Sequence, residues 1–133
     1  MTAVQSERAL PRAADIDQIP GLWDGLMKLA RSALGISAFG VQVLELPPSY
    51  TTSSHDETAS GQEELYVPLS GSGGLMTGET GTPLHEGRLV VVPPACSRAL
   101  TSGPEGLRVL VVGGTPGKPY AIQPWTEIEE EVR

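Results

Sequence analysis

The chain has 133 residues, enough for one domain, and its 39% hydrophobic and 19% charged residues are typical of a folded globular protein. The net charge of −7 argues against nucleic acid as a partner, because an acidic surface repels phosphate backbones. No apolar run approaches the ~20 residues that a membrane span needs, and residues 1–20 lack the apolar core of a signal peptide. We therefore expect a cytoplasmic protein with no membrane partner.

The single cysteine, Cys96, excludes an intramolecular disulfide and fits a reducing compartment. Seven arginines against two lysines, with no asparagine, are typical of a GC-rich bacterial genome.

The first third of the chain is the least regular part. Residues 1–14 are polar and alanine-rich without a period, which predicts a flexible arm before a single domain over 15–133. Residues 22–34 leave two alternatives open, since their apolar residues fit either a helical stripe or the start of an edge strand. Gly35 ends either element.

Beyond residue 40 the pattern is one of short strands separated by turn signals. Strands are predicted over 41–46, 64–69, 89–92, 97–101 and 107–112. A long polar loop over 49–62, a glycine turn over 71–74 and an irregular closing arm over 116–133 complete the chain. The 16 glycines and 12 prolines suit many turns, so an all-β sandwich or barrel of short antiparallel strands is expected.

The stretch GRLVVVPPACSRALTS, residues 87–102, resembles the second motif of the cupin superfamily, G-x5-P-x-G-x2-H-x3-N. Gly87 and Pro93 match this motif outright. At the correct spacing Ala95 stands for the glycine, Arg98 for the histidine and Ser102 for the asparagine. The turn residues and the strand between them therefore agree with the family, while the metal-binding position does not.

The first cupin motif, G-x5-H-x-H-x3,4-E-x6-G, is also similar to a stretch of this chain. Ser49 stands for its first glycine, His55 matches, Glu57 stands for the second histidine, and Glu64 and Gly71 match. The gap from Glu57 to Glu64 is two residues longer than the pattern. The resemblance covers about residues 36–115. It implies a cupin jelly-roll β-barrel, or double-stranded β-helix, with irregular N- and C-terminal arms, as in small single-domain bacterial cupins with degenerate metal-binding motifs.

In the cupin family three histidines and a glutamate point inward and hold a metal. This chain keeps His55 and Glu64, adds Glu57, and replaces the last ligand by Arg98, which stays protonated and cannot bind a metal. Strand alternation places Tyr66 on the same face as Glu64, so both point inward if the resemblance holds.

One hypothesis is that Arg98 replaces the metal. A guanidinium would relieve the repulsion between two cavity carboxylates and could grip one of them. A pocket of Arg98, Glu64, Tyr66 and His55 would then bind a small polar or anionic molecule without a cofactor. If the protein is an enzyme, isomerase or lyase chemistry is expected, with Tyr66, Glu64 or His55 as the proton-transferring catalytic group.

Two further hypotheses stay open. His55, Glu57 and Glu64 could hold a divalent metal (Fe, Mn, Ni or Zn) in a dioxygenase or isomerase, with Arg98 beside them. Alternatively the barrel is filled by side chains and the protein is a non-catalytic, dimeric interaction protein. A homodimer is expected in each case, because a small sandwich must cover its exposed edges.

Each candidate residue also has a purely structural interpretation. His55 and Glu57 lie in a polar loop and could be solvated, and Arg98 with Glu64 could form an ion pair of no functional use. His85 is expected at the surface. Trp23 and Trp125 lie in the two terminal arms and are expected to cover apolar sheet surface or to help form the dimer.

Overall fold

The structure is a computed structural model that describes residues 9–129, so residues 1–8 of the expected flexible arm and residues 130–133 lie outside it. Within the described part, no helix is long and apolar enough to cross a membrane. One α-helix, α1, is found among the described residues at Ala30–Leu34, and 3-10 turns lie at Ile16–Gln18 and Pro124–Thr126. The strands are β1 Gly21–Leu22, β2 Met27–Lys28, β3 Gly40–Leu46, β4 Glu63–Thr77, β5 Thr80–His85, β6 Val90–Val92 and β7 Ala99–Gly114.

All strand pairs in the described chain are antiparallel, in the order β1-β2-β3-β7-β4-β5, with β6 added to β4. The long strands β4 and β7 pair with each other along most of their lengths. The first part of β4 also pairs with β6, and its second part pairs with β5. Both long strands therefore run through two layers of the molecule, and the all-β prediction is confirmed.

The strands are longer than the sequence pattern predicts. The expected turn at Gly71–Gly74 is wrong, because β4 continues through it to Thr77. Gly71 has φ +77°, and a Cβ there would collide with the backbone of Gly106 on β7. The register between the two strands shifts at this point. Glycine at these positions bends the strand and permits close approach, rather than ending it.

Strand alternation creates two apolar clusters, one on each face of the β3–β7–β4 sheet. On β7, Val109 and Val111 face the inner cluster, whereas Leu110 and Val112 face the outer one. The buried inner residues are Leu46, Tyr66, Leu75, Leu84, Val92, Leu100, Leu107, Val109 and Val111. The buried outer residues are Ile19, Ala30, Val41 and Val43. Each fully buried side chain of this kind stabilises the fold by about 1.5–3 kcal/mol, so the N-terminal segment is held to the outer face by its own core.

The ambiguous segment 22–34 contains both alternatives in succession. A β1–β2 hairpin is followed directly by α1, and Gly35 ends the helix in the left-handed conformation with φ +67°. The backbone N–H of Gly35 donates to the carbonyl oxygens of Arg31 and Ser32, which closes the last turn.

The polar loop over 49–62 is fastened to β7 and to the residues just before it. Thr51 forms an isolated bridge with Thr101, and His55 forms one with Arg98. The His55 N–H donates to the Arg98 carbonyl at 2.9 Å, and the Arg98 N–H donates to the His55 carbonyl at 2.8 Å. This second bridge fixes the backbone of His55 beside the motif position that Arg98 occupies.

Candidate functional site

A cavity of about 530 Å³ opens into the inner face of the sheet. This volume is within the ~300–1,000 Å³ of small-molecule sites. Its polar end is formed by His55, Glu57, Glu64 and Tyr66, and its apolar wall includes Leu44, Leu100 and Val111. The filled-barrel hypothesis is therefore not favoured, because the space in front of Glu64 and Tyr66 is open.

Arg98 is fully buried, and each nitrogen of its guanidinium has a partner. Nη2 donates to Glu64 Oε1 at 2.5 Å, Nη1 donates to the Cys96 carbonyl at 2.8 Å, and Nε donates to Tyr66 Oη at 3.4 Å. The Tyr66 hydroxyl in turn donates to Glu64 Oε1 at 3.0 Å. Two charged or polar groups thus hold one oxygen of Glu64 in a fixed place.

These contacts set the protonation of the network. Burial alone lowers the pKa of the Arg98 guanidinium, but the hydrogen bonds to Tyr66 and Glu64 outweigh it and raise this pKa overall. Burial, followed by the negative charge of Glu64, raises the pKa of Tyr66 well above its ordinary value. Arg98 therefore stays charged and Tyr66 stays protonated. The phenol acts as a hydrogen-bond donor in this network rather than as a base.

The structure places Arg98 behind the cavity wall. Glu64, Tyr66 and His55 line the cavity, and the Arg98 side chain does not. The fully buried guanidinium is in a position to hold Glu64, rather than to touch a ligand itself.

His55 and Glu57 meet Glu64 at the polar end of the cavity. The side chain of His55 is 53% exposed, and its Nε2 lies 3.9 Å from Glu64 Oε1. Glu57 is partly buried, and burial, followed by the charge of Glu64, raises its carboxyl pKa. Unlike Glu64, Glu57 has no arginine bonded to it within residues 9–129. The three candidate metal ligands are thus brought together as the motif spacing predicts.

The donor set nevertheless differs from a cupin metal site. One potential ligand atom from each of His55, Glu57 and Glu64 lies within 4.8 Å of the others. The fourth motif position supplies Arg98, whose Nη2 already bonds to Glu64 Oε1. A metal bound to that carboxylate would sit beside a fixed positive charge, and the two cations would repel each other. This arrangement does not fit a resident metal well.

Comparison with known proteins supports the fold. No protein-family model matches the sequence, and no curated protein matches it. Among solved structures, a cupin protein from Bacteroides fragilis is similar over 92% of this chain and 98% of its own, with TM-score 0.66 and 16% identity. The chain has the cupin fold.

Two further similar structures are described as different enzymes. A sugar phosphate isomerase from Silicibacter pomeroyi is similar over 79% of this chain and 77% of its own, with TM-score 0.61 and 22% identity. A predicted oxalate decarboxylase from Thermotoga maritima is similar over 65% of this chain and 76% of its own, with TM-score 0.54 and 23% identity. The jelly-roll prediction is confirmed, and at these identities the likeness carries over the fold alone.

The mouth of the cupin cavity is built from residues that the motifs do not mark. Trp23 and Trp125 line it with their ring centroids 6.3 Å apart, and they are 62% and 51% exposed. Tyr50 and Tyr120 line the same cavity. From the sequence, both tryptophans are expected in the terminal arms, covering apolar sheet surface or helping to form the dimer. Within one protomer both tryptophans line the cavity, and their part in a dimer stays a prediction.

One wall of the cavity comes from the C-terminal arm. Tyr120, Gln123, Trp125 and Thr126 line it. The arm is anchored at Glu127, whose Oε1 lies 2.7 Å from Nη2 of the buried Arg31 and whose Oε2 accepts from Ser32 Oγ at 3.0 Å. No sequence motif marks this pair, because the two residues are far apart in the chain and neither belongs to a cupin motif.

The remaining candidates lie away from the cavity. His85 is exposed at the end of β5, where its Nδ1 is 2.9 Å from the Glu86 carbonyl oxygen. Cys96 is a partly buried free cysteine whose carbonyl oxygen accepts from Arg98. The sequence expectation that His85 lies at the surface agrees with this placement.

Proposed function

We propose that this cupin-fold protein binds a small molecule with a polar group in its barrel cavity, without a resident transition metal. The observation that carries this proposal is the Arg98 network, a fully buried guanidinium bonded to Glu64 and Tyr66 at the polar end of an open cavity of about 530 Å³. Arg98 supplies the positive charge beside the glutamate that the metal supplies in the family.

The reason is the cost of a buried carboxylate. An inward glutamate needs a nearby positive charge or it becomes protonated. In metal-binding cupins the ion supplies that charge. Here the guanidinium supplies it through a 2.5 Å bond to Glu64 Oε1. Glu64 therefore keeps its orientation with no ion present.

The ligand's polar group is expected to meet Glu64, His55 and Glu57 at the cavity surface. The proposed ligand is not an anion, because the Arg98 guanidinium is fully buried, paired with Glu64 and unable to contact one. Binding rather than catalysis is proposed. The Tyr66 hydroxyl donates its hydrogen bond to Glu64 Oε1. His55 and Glu57 are therefore the remaining candidates for proton transfer.

A metal-dependent cupin enzyme is the second candidate. It is favoured by one observation, the grouping of His55, Glu57 and Glu64 within 4.8 Å. Against it stands the guanidinium bonded to Glu64. The two candidates differ in whether purified protein carries metal.

Elemental analysis of protein purified without chelator separates the two candidates. We expect Fe, Mn, Ni and Zn all far below one ion per chain. Near-stoichiometric metal that is lost in His55→Ala would overturn the metal-free proposal. An Arg98→His variant, which restores the family's ligand type, is expected to bind Zn²⁺ more tightly than the parent protein.

Ligand binding is tested with neohexyl alcohol, a compact uncharged molecule with one hydroxyl group. The only two tryptophans, Trp23 and Trp125, both line the mouth, so a fluorescence titration reports on its occupancy. Val111→Phe fills the inner face and is expected to abolish the response. Val112→Phe is the matched control, since the neighbouring side chain packs on the outer face. Equal binding by both variants would place the probe outside the cavity.

The homodimer remains part of the proposal. The sheet ends at the short strands β1 and β5, and open edges of this kind are commonly covered by a second copy. Light scattering is expected to give twice the monomer mass. A monomer at micromolar concentration would contradict this.

A further inference from the structure

The aromatic side chains of this protein are concentrated at one place. The sequence contains two tryptophans, three tyrosines and one phenylalanine, and five of these six line the cavity. The lining aromatic residues are Trp23, Tyr50, Tyr66, Tyr120 and Trp125. Only Phe39 lies elsewhere. An apolar ligand could be enclosed by aliphatic side chains, so this accumulation of π faces calls for a more specific explanation.

The charges around the cavity have one sign. Glu57 and Glu64 line it, and no lysine or arginine of residues 9–129 does so. Arg98 is fully buried, does not line the cavity, and forms its ion pair with Glu64. Glu57, at the polar end, forms no ion pair with an arginine or lysine of residues 9–129. An anion entering this space would meet repulsion, whereas a cation would meet attraction.

The backbone at the mouth is strained in a way that presents an aromatic ring. Trp23 has φ +54° and the next residue, Asp24, has φ +55°. Bulky side chains rarely adopt this left-handed region, and such a residue costs of order 1–3 kcal/mol. Glycine or asparagine would fit this hairpin turn better. The strained turn nevertheless carries a tryptophan that is 62% exposed and faces Trp125.

We infer that the cavity binds a small organic cation, with an alkylated ammonium group held against aromatic faces and attracted by the carboxylate of Glu57. The inference rests on the proposed function, since it names the class of ligand for that same cavity. Aromatic faces attract a cation within about 6 Å of the ring centre through their quadrupole. Alkylated ammonium groups suit such a site because water holds them weakly, so they are readily transferred to an aromatic surface.

The test uses three molecules of matched shape. Choline is the cation, and neohexyl alcohol is its uncharged carbon isostere. The carboxylate ion 3,3-dimethylbutanoate is an anion of similar size. Calorimetric titration at neutral pH and low salt is expected to show choline binding about tenfold more tightly than the alcohol, from cation–π attraction and charge together. Binding of the anion is expected to be weakest.

Matched variants connect the preference to the residues. Trp23→Leu and Trp125→Leu are each expected to reduce choline affinity several-fold more than alcohol affinity, because leucine keeps an apolar contact but has no π face. Phe39→Leu is the control, an exposed aromatic residue outside the cavity, and should change neither affinity. Circular dichroism checks that each variant is folded.

The outcomes separate this inference from the proposed function. Equal affinity for choline and the alcohol, or tighter binding of the anion, would overturn the cation preference and leave a binding cavity in place. Failure of all three molecules to bind up to the millimolar range would overturn both. A tenfold preference for choline that Phe39→Leu also removes would contradict the assignment to this cavity.

Discussion

Two buried arginines each form an ion pair with a glutamate next to the cavity, and the two pairs differ. Arg98 is bonded at every guanidinium nitrogen, and its partner Glu64 is only 14% exposed. Arg31 is almost as deeply buried, but its partner Glu127 is 48% exposed. The first pair lies inside the barrel, whereas the second connects α1 to the C-terminal arm.

The difference predicts that the Glu64 end of the cavity is rigid, whereas the C-terminal arm that forms another wall can detach. Glu64 accepts hydrogen bonds from both Arg98 and Tyr66 and is only 14% exposed, so we expect its side chain to stay in place. Glu127 is 48% exposed, so we expect its ion pair with Arg31 to open to water more readily. The arm that Glu127 anchors carries Trp125, which flanks the mouth.

Breaking the inner pair is expected to have the largest effect. Arg98→Met removes the ion-pair partner of Glu64, and chemical denaturation should show a loss of about 3–5 kcal/mol in the free energy of unfolding. The double variant Arg98→Met/Glu64→Gln removes the stranded charge and should recover part of that loss. If the double variant is no more stable than the single one, the stability effect does not come from the ion pair.

Breaking the outer pair is expected to have a smaller and more local effect. Glu127→Gln removes the charge next to Arg31, while its amide oxygen can still accept from Ser32. We expect a loss of about 1–2 kcal/mol and faster amide hydrogen exchange in residues 120–129, with β4 and β7 unchanged. Glu129→Gln is the matched control, since it removes the same charge from the arm without touching the Arg31 pair. Amide hydrogen exchange that is accelerated throughout the barrel would contradict a local detachment of the C-terminal arm.

The third and smallest effect concerns Glu57. Its carboxyl pKa is raised above the ordinary value near 4.5 by burial and by Glu64, while His55 and Arg98 act in the opposite direction. A carboxyl with a raised pKa in the folded state contributes stability below its ordinary value and loses it as the pH rises through the folded value. The parent protein should therefore lose stability relative to Glu57→Gln from about pH 4.5 upward.

Thermal unfolding of both proteins between weakly acidic and neutral pH measures this difference. The same variant is expected to bind choline more weakly at neutral pH, so Glu57 would lower stability while strengthening binding. A stability difference that does not change with pH would show that Glu57 titrates as a solvated side chain.

The fold was predictable because its signals are local. Gly87, Pro93 and the strand between them have the spacing of a cupin motif, and alternation along β4 correctly places Glu64 and Tyr66 on one face. The error at Gly71–Gly74 has a physical cause. Glycine permits both a turn and a bend, and only the close approach of Gly106 shows which of the two occurs.

The cavity was less predictable because it is assembled over long distances. Motif spacing brings His55, Glu57 and Glu64 together, but it does not show that the Arg98 guanidinium is sealed away from the cavity. The pairing of Trp23 with Trp125 depends on how two terminal segments pack on one barrel. A clue was present in the sequence, since most of its few aromatic residues lie outside the regular strands.

The shared use of β4 and β7 by both layers has a consequence for folding kinetics. The two strands are separated by more than twenty residues, and Glu64 and Arg98 are 34 residues apart in the chain. Large loops must close before these pairings can form, which slows folding to the range of milliseconds to seconds that is usual for all-β domains. Glu64 lies on β4 and Arg98 directly precedes β7, so we expect their ion pair to form only after these strands have paired. The polar end of the cavity is therefore expected to form late in folding. Because Trp23 and Trp125 line the same cavity as Glu64, we expect their fluorescence to reach its native value in the final kinetic phase.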